Sequence, residues 1–335
     1  MKGSIMLDKR LGYGLALVFL LVAPHFAYPL FLMTVLCFAL FACALNLIMG
    51  FAGMVSFGHA AFFGGSAYIA GYVLASYGWP FEVGMLAGTA AGALMGMIVG
   101  VLAARRTGIY FAMITLALAQ MMYFIYLKAP FTGGEDGLQA IPRGKLLGIW
   151  SLKDDITYYY VLLTYCLLGW ALIVRTVHSH YGQVLRAIKE NEARALSLGY
   201  DVTRYKLLAF VISAALSGLA GSLKAVAIGV ATLTDVQWTM SGLVLLMVMV
   251  GGMKTFVGPA VGALVIITLQ IELDNFGHYL ADVTQIDWFS RIGVSIPMVT
   301  GLIFIASVLL FREGIVGSLK ASRHRLQRKG ARHHG

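Results

Sequence analysis

Residues 29–49 read PLFLMTVLCFALFACALNLIM, twenty-one consecutive positions without a charge. Hydrocarbon offers no water to backbone N–H and C=O groups, so only helices and closed barrels cross it. A helix needs about 20 apolar residues for the crossing. A barrel strand alternates apolar and polar positions, and residues 29–49 do not alternate. The segment reads as a membrane-spanning helix, and the fold class follows from how often the chain repeats it.

Nine further apolar runs lie at 11–27, 60–77, 81–104, 109–127, 158–177, 207–230, 239–253, 256–271 and 292–311. Ten spans make an all-α, polytopic integral membrane protein with one transmembrane domain over residues 1–335. The runs at 239–253 and 256–271 are short, as expected of tilted, interrupted or partly re-entrant helices. Composition agrees: 59% of residues are apolar, 12% are charged and the mean hydropathy is +0.82. A soluble fold of this length would lack the polar surface to cover itself. Cys37, Cys43 and Cys166 lie in apolar runs, match no disulfide or metal spacing, and read as small core residues. The first run follows Lys9 and Arg10 as a signal peptide would, yet no small-x-small cleavage site succeeds it.

Cytoplasmic loops carry the excess of Lys and Arg, which tests the count independently. With the N-terminus inside, 19 of the 25 basic residues fall in inner segments and five fall outside. Ten of the 15 acidic residues, Asp235 among them, fall outside. Both termini are then cytoplasmic, and residues 312–335 form a basic cytoplasmic tail. The net charge of +10 needs no nucleic acid, because juxtamembrane basic residues face anionic lipid.

Two long hydrophilic segments stand out. Residues 128–157 form an extracytoplasmic loop that opens with Thr132, Gly133, Gly134, Glu135, Asp136, Gly137 and Leu138, a glycine-rich compact turn. Residues 178–206 form a cytoplasmic loop rich in helix formers from Gly182 onward, with Gly199 placed as a helix C-cap. Val184, Ile188, Ala195 and, more loosely, Leu185, Leu196 and Leu198 recur near helical spacing, so the helix is amphipathic. Its apolar stripe is expected either on the chain's own membrane domain and the lipid interface or in a groove of a partner protein.

The run from Arg186 to Gly199, RAIKENEARALSLG, resembles the cytoplasmic coupling loop of ABC-importer permeases. More closely it is similar to the branched-chain amino acid permease family, whose LivM-type members carry Arg-Ala-Ile-x-Glu-Asn-Glu followed by Ser-Leu-Gly. Arg194 intrudes on the commonest Glu-Ala-Ala-x-x-x-Gly form, and Glu192 lies one position further from the glycine. The blocks at 50–68, 108–120, 132–138, 217–221 and 251–259 resemble the same family in order and spacing. The resemblance implies that Gly182, Arg186, Ile188, Glu192, Ala195 and Gly199 couple the chain to an ATPase. It implies two cytoplasmic ABC ATPase subunits, a second, LivH-like permease chain, and a soluble periplasmic or lipid-anchored binding protein. The setting is the cytoplasmic (inner) membrane of a prokaryote. Urea and short-chain amide permeases of the same superfamily are the alternative.

Polar groups in the glycine-rich blocks set the expected translocation path. Ser56 and His59 at a helix break, with Tyr68, Thr115 and Gln120, would contact a zwitterion if they face a cavity. Gly53 to Phe57 and Gly252 to Phe256 share Gly-Met-x-(Ser or Thr)-Phe, a hint of duplication. Lys224, near the outer end of its span, is expected to snorkel to the interface. No span carries a central Asp or Glu, which disfavours a self-sufficient secondary carrier or channel. The chain has no phosphate loop; Gly251 to Thr255 only mimics the end of one, with Met253 where the second glycine belongs. ATP is therefore expected on partner subunits, with no cofactor, metal or catalytic residue in this chain.

Overall fold

The computed structural model describes residues 14, 17–146, 148, 150–253, 255–284, 301–302, 305 and 314–317. Ten α-helices run through this part of the chain: α1 Pro29–Asn46, α2 His59–Tyr77, α3 Phe81–Ala103, α4 Gly108–Lys128, α5 Asp155–His178, α6 His180–Glu190, α7 Glu192–Ser197, α8 Val202–Ile228, α9 Trp238–Gly251 and α10 Gly258–Thr284. A two-stranded ribbon pairs β1 Lys145–Leu146 with β2 Trp150–Ser151. Residues 29–52, α3, α4, α5 and α8 are each long and apolar enough to cross a bilayer. The expected tenth span and the basic tail lie largely outside the described residues.

Local chemistry sets most boundaries. Asp154, Ser179, Asn191 and Asp201 cap α5, α6, α7 and α8, each side chain accepting a backbone N–H of the first turn. The Asp201 cap starts α8 five residues before the expected apolar run. Asn191 breaks the expected single cytoplasmic helix in two, because its Oδ1 accepts the Arg194 N–H at 3.0 Å and its backbone turns extended.

The helices alternate in direction. Lys189 Nζ donates to the Gly50 carbonyl at 2.5 Å, Glu192 pairs with Lys206 at 2.8 Å, and Trp170 Nε1 donates to the Phe256 carbonyl at 3.3 Å. Gly314 packs on Gly252. These contacts, with Thr107 lining one cleft with Gly53 and Lys189, gather 50–58, 104–107, 178–201, 252–253 and 255–257 at one end, with Arg105, Arg106, Arg175, Arg186, Arg194 and Arg204. At the other end Leu138 and Ala231 exchange backbone hydrogen bonds at 2.9 Å, and Arg143 donates to the Ala227 carbonyl at 3.0 Å. That acidic end also carries Glu82, Glu135, Asp136, Asp154 and Asp155. Exposed Tyr28, Tyr77, Trp79 and Trp150 supply aromatics of the interfacial type.

α8 is the hub, packed against α1, α2 and α3. Gly84, Gly88, Gly92, Gly96 and Gly100 form a four-residue ladder on α3. Four of them meet Ser222, Ala214 with Gly218, Ala214, and Leu207 with Phe210 on α8, in that order from Gly88. Lipid tails are as apolar as leucine, so helices associate through close packing of small residues rather than by escaping water. The outer faces of α3 and α4 remain apolar and exposed, with Leu86, Leu94, Ile98, Met113, Phe124 and Ile125 on them.

α9 is short for a structural reason. Its 14 residues span about 21 Å, less than the bilayer core of about 30 Å. Ser241, one turn into α9, accepts the N–H of Ala60 at the start of α2 at 2.8 Å. The backbone of Asp235 and Val236 lies against Gly64, six residues into α2. Residues 229–237 therefore re-enter the bundle instead of forming a loop outside it. α2 itself starts above the basic end, since His59 reaches Ser213, twelve residues into α8.

A Cβ at Gly221 would lie 2.6 Å from the carbonyl carbon of Phe63, a backbone atom that cannot move aside. Gly221→Ala is expected to destabilise the bundle by about 1–3 kcal/mol, read as a lower thermal unfolding midpoint in detergent. Gly242→Ala, with nothing within 4 Å of the new methyl, should show no loss.

Candidate functional site

α1 does not simply end. It widens into a π-turn at Leu47–Ala52, and Gly53 at φ 75° redirects the chain toward α2. Such a break inside a membrane frees backbone donors that need partners. Ser56 Oγ accepts the Gly58 N–H at 3.2 Å, Thr115 Oγ1 accepts the Phe57 N–H at 3.3 Å, and Ser241 accepts from Ala60. His59 closes the set, with Nδ1 3.0 Å from Ser56 Oγ and Nε2 2.9 Å from Ser213 Oγ. Ser213 Oγ donates to the Ala44 carbonyl at 2.5 Å, so it accepts from Nε2–H, and Nδ1 accepts from Ser56. The tautomer follows from the network.

Ser56, His59 and Thr115 are thus brought together and fully buried. His59 is neither solvated nor facing a cavity: its ring is enclosed by Phe62 and Phe210, each centroid 5.2 Å away. Tyr68, also buried, stands more than two turns along α2 and stacks on Tyr126 at 5.5 Å. Gln120 is half-buried on α4. Neither joins the network.

The second Gly-Met-x-(Ser or Thr)-Phe segment is built alike. Gly252 has φ 115°, Thr255 Oγ1 accepts the Gly258 N–H at 3.0 Å, and α10 begins there. Asn46 ties the two breaks together by donating from Nδ2 to the Thr255 carbonyl at 3.1 Å.

At the basic end α6 and α7 lie across these breaks. Arg186 donates to the Val177 carbonyl at 2.7 Å, a cation on the last turn of α5. Gly182 follows the Ser179 cap and is buried. Gly199, at φ 86°, ends α7 with paired bonds, Tyr200 N–H to Ala195 at 3.2 Å and Gly199 N–H to Leu196 at 2.9 Å. Ile188 and Ala195 do not form an outward stripe: both are buried with Val202 beneath Val184 and Tyr205. The apolar residues left outside are Leu196, Leu198 and Tyr200, at 56%, 70% and 41% exposure. A cavity of about 140 Å³ between Gly53, Thr107, Lys189, Glu192 and Lys206 separates the hairpin from the bundle.

The turn at the acidic end is anchored, not free. Gly133, Gly134 and Gly137 all have left-handed φ, and buried Thr132 donates to the Tyr126 carbonyl at 2.6 Å. Asp136 stays exposed. The turn leads into Leu138, which is stitched to the re-entrant segment through Ala231.

Lys224 does not snorkel. Its Nζ lies 2.5 Å from Asp235 Oδ1, with side chains 14% and 5% exposed. Sequence reasoning placed Asp235 in an outer loop, because nothing in a short polar stretch announces that it folds back between helices. The glycine ladder was also missed, although its period of four is plain in residues 84–100.

A family model described as branched-chain amino acid transport system / permease component matches residues 29–311. The high-affinity branched-chain amino acid transport system permease protein LivM of Salmonella typhimurium is 28% identical over 258 residues, 70% of this chain and 61% of the relative. Its Escherichia coli counterpart of the same name gives the same figures. The probable branched-chain amino acid transport permease protein LivM of Methanocaldococcus jannaschii is 27% identical over 166 residues, 48% of each chain. The chain thus spans 61% of the length of the first two relatives. No solved structure matches.

His59→Leu would strand the Ser56 hydroxyl proton in the bundle and remove a donor from Ser213. The expected cost is about 1–3 kcal/mol, measured as a fall in thermal midpoint. His59→Gln, which keeps one donor and one acceptor, should fall less.

Proposed function

Because the chain belongs to the family of branched-chain amino acid transport system permease components, we propose that it is the membrane-spanning subunit of an ATP-driven importer for leucine, isoleucine and valine. It sits in the inner membrane of a prokaryote, beside a second, LivH-like permease chain, with its basic end in the cytoplasm. Two ABC ATPases bind and hydrolyse ATP at that end, and a soluble binding protein delivers substrate to the acidic end. The observation that carries this reading is the α6–α7 hairpin. A short helical pair lies at the basic end with its apolar side turned to its own bundle and a second apolar rim, Leu196, Leu198 and Tyr200, turned outward. An isolated rim of this kind fits a groove in a partner.

The hairpin is bonded to the helix break and to the hub helix. Lys189 holds the carbonyl of Gly50 inside the π-turn, and Glu192 holds Lys206 on the first turns of α8. A displacement of the hairpin by closing ATPases would pull on the break between α1 and α2 and on the hub helix together. Those are the elements whose rearrangement opens one end of the bundle and shuts the other.

Leu198→Asp should leave folding unchanged and lower ATPase co-purification and ATP-driven uptake together by about tenfold. Ile188→Asp should act differently, loosening the hairpin itself because it puts a charge into a closed apolar cluster. Normal ATPase association and uptake in Leu198→Asp would sink the docking role, and uptake by this chain alone in vesicles would sink the subunit reading.

Orientation is open to a direct check. The native cysteines Cys37, Cys43 and Cys166 are buried, so single introduced thiols can be read cleanly. Asp136→Cys should react with an impermeant thiol reagent in intact cells, and Arg194→Cys only after the membrane is opened.

A further inference from the structure

The pair Lys224 and Asp235 sits deep in the bundle. Lys224 Nζ lies over Phe38 and Phe63, 5.4 and 5.7 Å from the ring centroids. Phe38 is about 14 Å along residues 29–52 from their acidic-end start, and Lys224 stands about one turn from the acidic end of α8. Phe41 stacks on Phe63 at 4.5 Å, extending the aromatic wall. Asp235 comes from the re-entrant segment, and its second oxygen accepts from Thr232 Oγ1 at 3.2 Å. Tyr68 lies one turn beyond Gly64, the residue that Asp235 packs on, and its buried Oη has no hydrogen-bond partner among the described residues.

A buried ion pair is a poor device for stability alone. Desolvation of two charges offsets their attraction, and apolar residues of similar shape serve as well or better. Irregular backbone at membrane depth is likewise tolerated only where it is enclosed or lines a path. Here both occur at one place, in the acidic-end half of the bundle, beside an aromatic wall. An α-amino acid with an apolar side chain carries the matching groups: a carboxylate, an ammonium and a hydrocarbon body.

We propose that Lys224 and Asp235 form a zwitterion-selective gate in the substrate path, a role that rests on the importer reading and deepens it. In the closed state the two side chains neutralise each other. An entering amino acid exchanges with them, its carboxylate taken by Lys224, its ammonium by Asp235, and its side chain by Phe38, Phe41 and Phe63. Parting the pair without replacement leaves two uncompensated buried charges. A ligand bearing both charges removes that penalty at once, whereas urea or a neutral amide replaces neither. The gate thus favours branched-chain amino acids over the amide substrates of related permeases.

The test uses the complete importer in vesicles: this chain, its partner permease, both ATPases and the binding protein loaded with leucine. Wild-type uptake of leucine comes first, and its absence, with urea uptake in its place, would overturn the importer reading and the gate with it. Given wild-type uptake, Lys224→Met/Asp235→Asn removes both charges with little change of shape. A purely structural pair predicts normal uptake from this variant. The gate predicts an assembled complex whose leucine uptake is lower by roughly thirtyfold or more. Lys224→Asp/Asp235→Lys restores an ion pair with reversed polarity relative to the aromatic wall; a structural pair recovers transport, and the gate does not. Normal uptake in either assembled variant overturns the inference while leaving the importer reading intact, and so does failure of both variants to assemble, which would make the pair a folding element.

Discussion

The approach of α3 to α8 along a ladder of glycines is the contact from which the rest of the bundle is built. In a bilayer there is no gain from hiding an apolar side chain from its neighbours, so two helices adhere only where their backbones come close enough for dense packing. Gly88, Gly92, Gly96 and Gly100 permit that, and Ala214, Gly218 and Ser222 meet them from α8. Gly221 does the same for the carbonyl of Phe63 on α2. With α8 held this way, its flanks are presented to α1 and α2, and its Ser213 and Lys224 come into position at two depths. The hub is therefore also the element that carries the interior polar groups.

Those polar groups follow from breaks in the backbone. Among the described residues helix gives way at 53–58, at 229–237 and beside Gly252 and Thr255, and polar side chains there and on neighbouring helices take the freed donors. Ser56, Thr115 and Ser241 take the free donors ahead of α2, while Thr255 takes those ahead of α10. Asn46 links the first break to the third. The second break is different in kind, because it brings in a carboxylate answered by a lysine. One set of interactions satisfies the backbone; the other places opposite charges in the interior. That difference separates the saturated His59 network from the buried Lys224–Asp235 pair, the proposed gate.

At the basic end the same logic joins the hairpin to the bundle. α6 and α7 close their apolar residues against one another and against the start of α8. Lys189 reaches the Gly50 carbonyl in the last turn before Gly53, and Arg186 the Val177 carbonyl in the last turn of α5, groups that helix ends leave open to cations. The connection is polar and short, which suits transmission of a displacement better than a greasy contact that can slide.

Much of this was legible in the residues. Continuous apolar runs near the length of a bilayer crossing settled the all-α class and located α1 to α5, α8 and α9 to within about five residues, because helical self-satisfaction of the backbone leaves so few alternatives in lipid; α10, expected to be short and to end at 271, continues to Thr284 because its polar second half carries no apolar signal. Gly199 as a terminator acts over one turn and was read locally, whereas the polar caps at Asp154, Ser179 and Asp201 came only with the structure, those at Asp154 and Asp201 starting helices ahead of the apolar runs. The Arg186 to Gly199 run marked the family, which the match over residues 29–311 bears out. Position in depth was beyond reach. Hydropathy cannot tell a loop outside the membrane from a polar segment folded back into it, so Asp235 read as external and Lys224 as snorkelling until their partnership was seen. Periodicity likewise placed Ile188 on a stripe without saying what covers it. Amphipathicity states that a face is buried, and only the packing of α6, α7 and α8 decides against what.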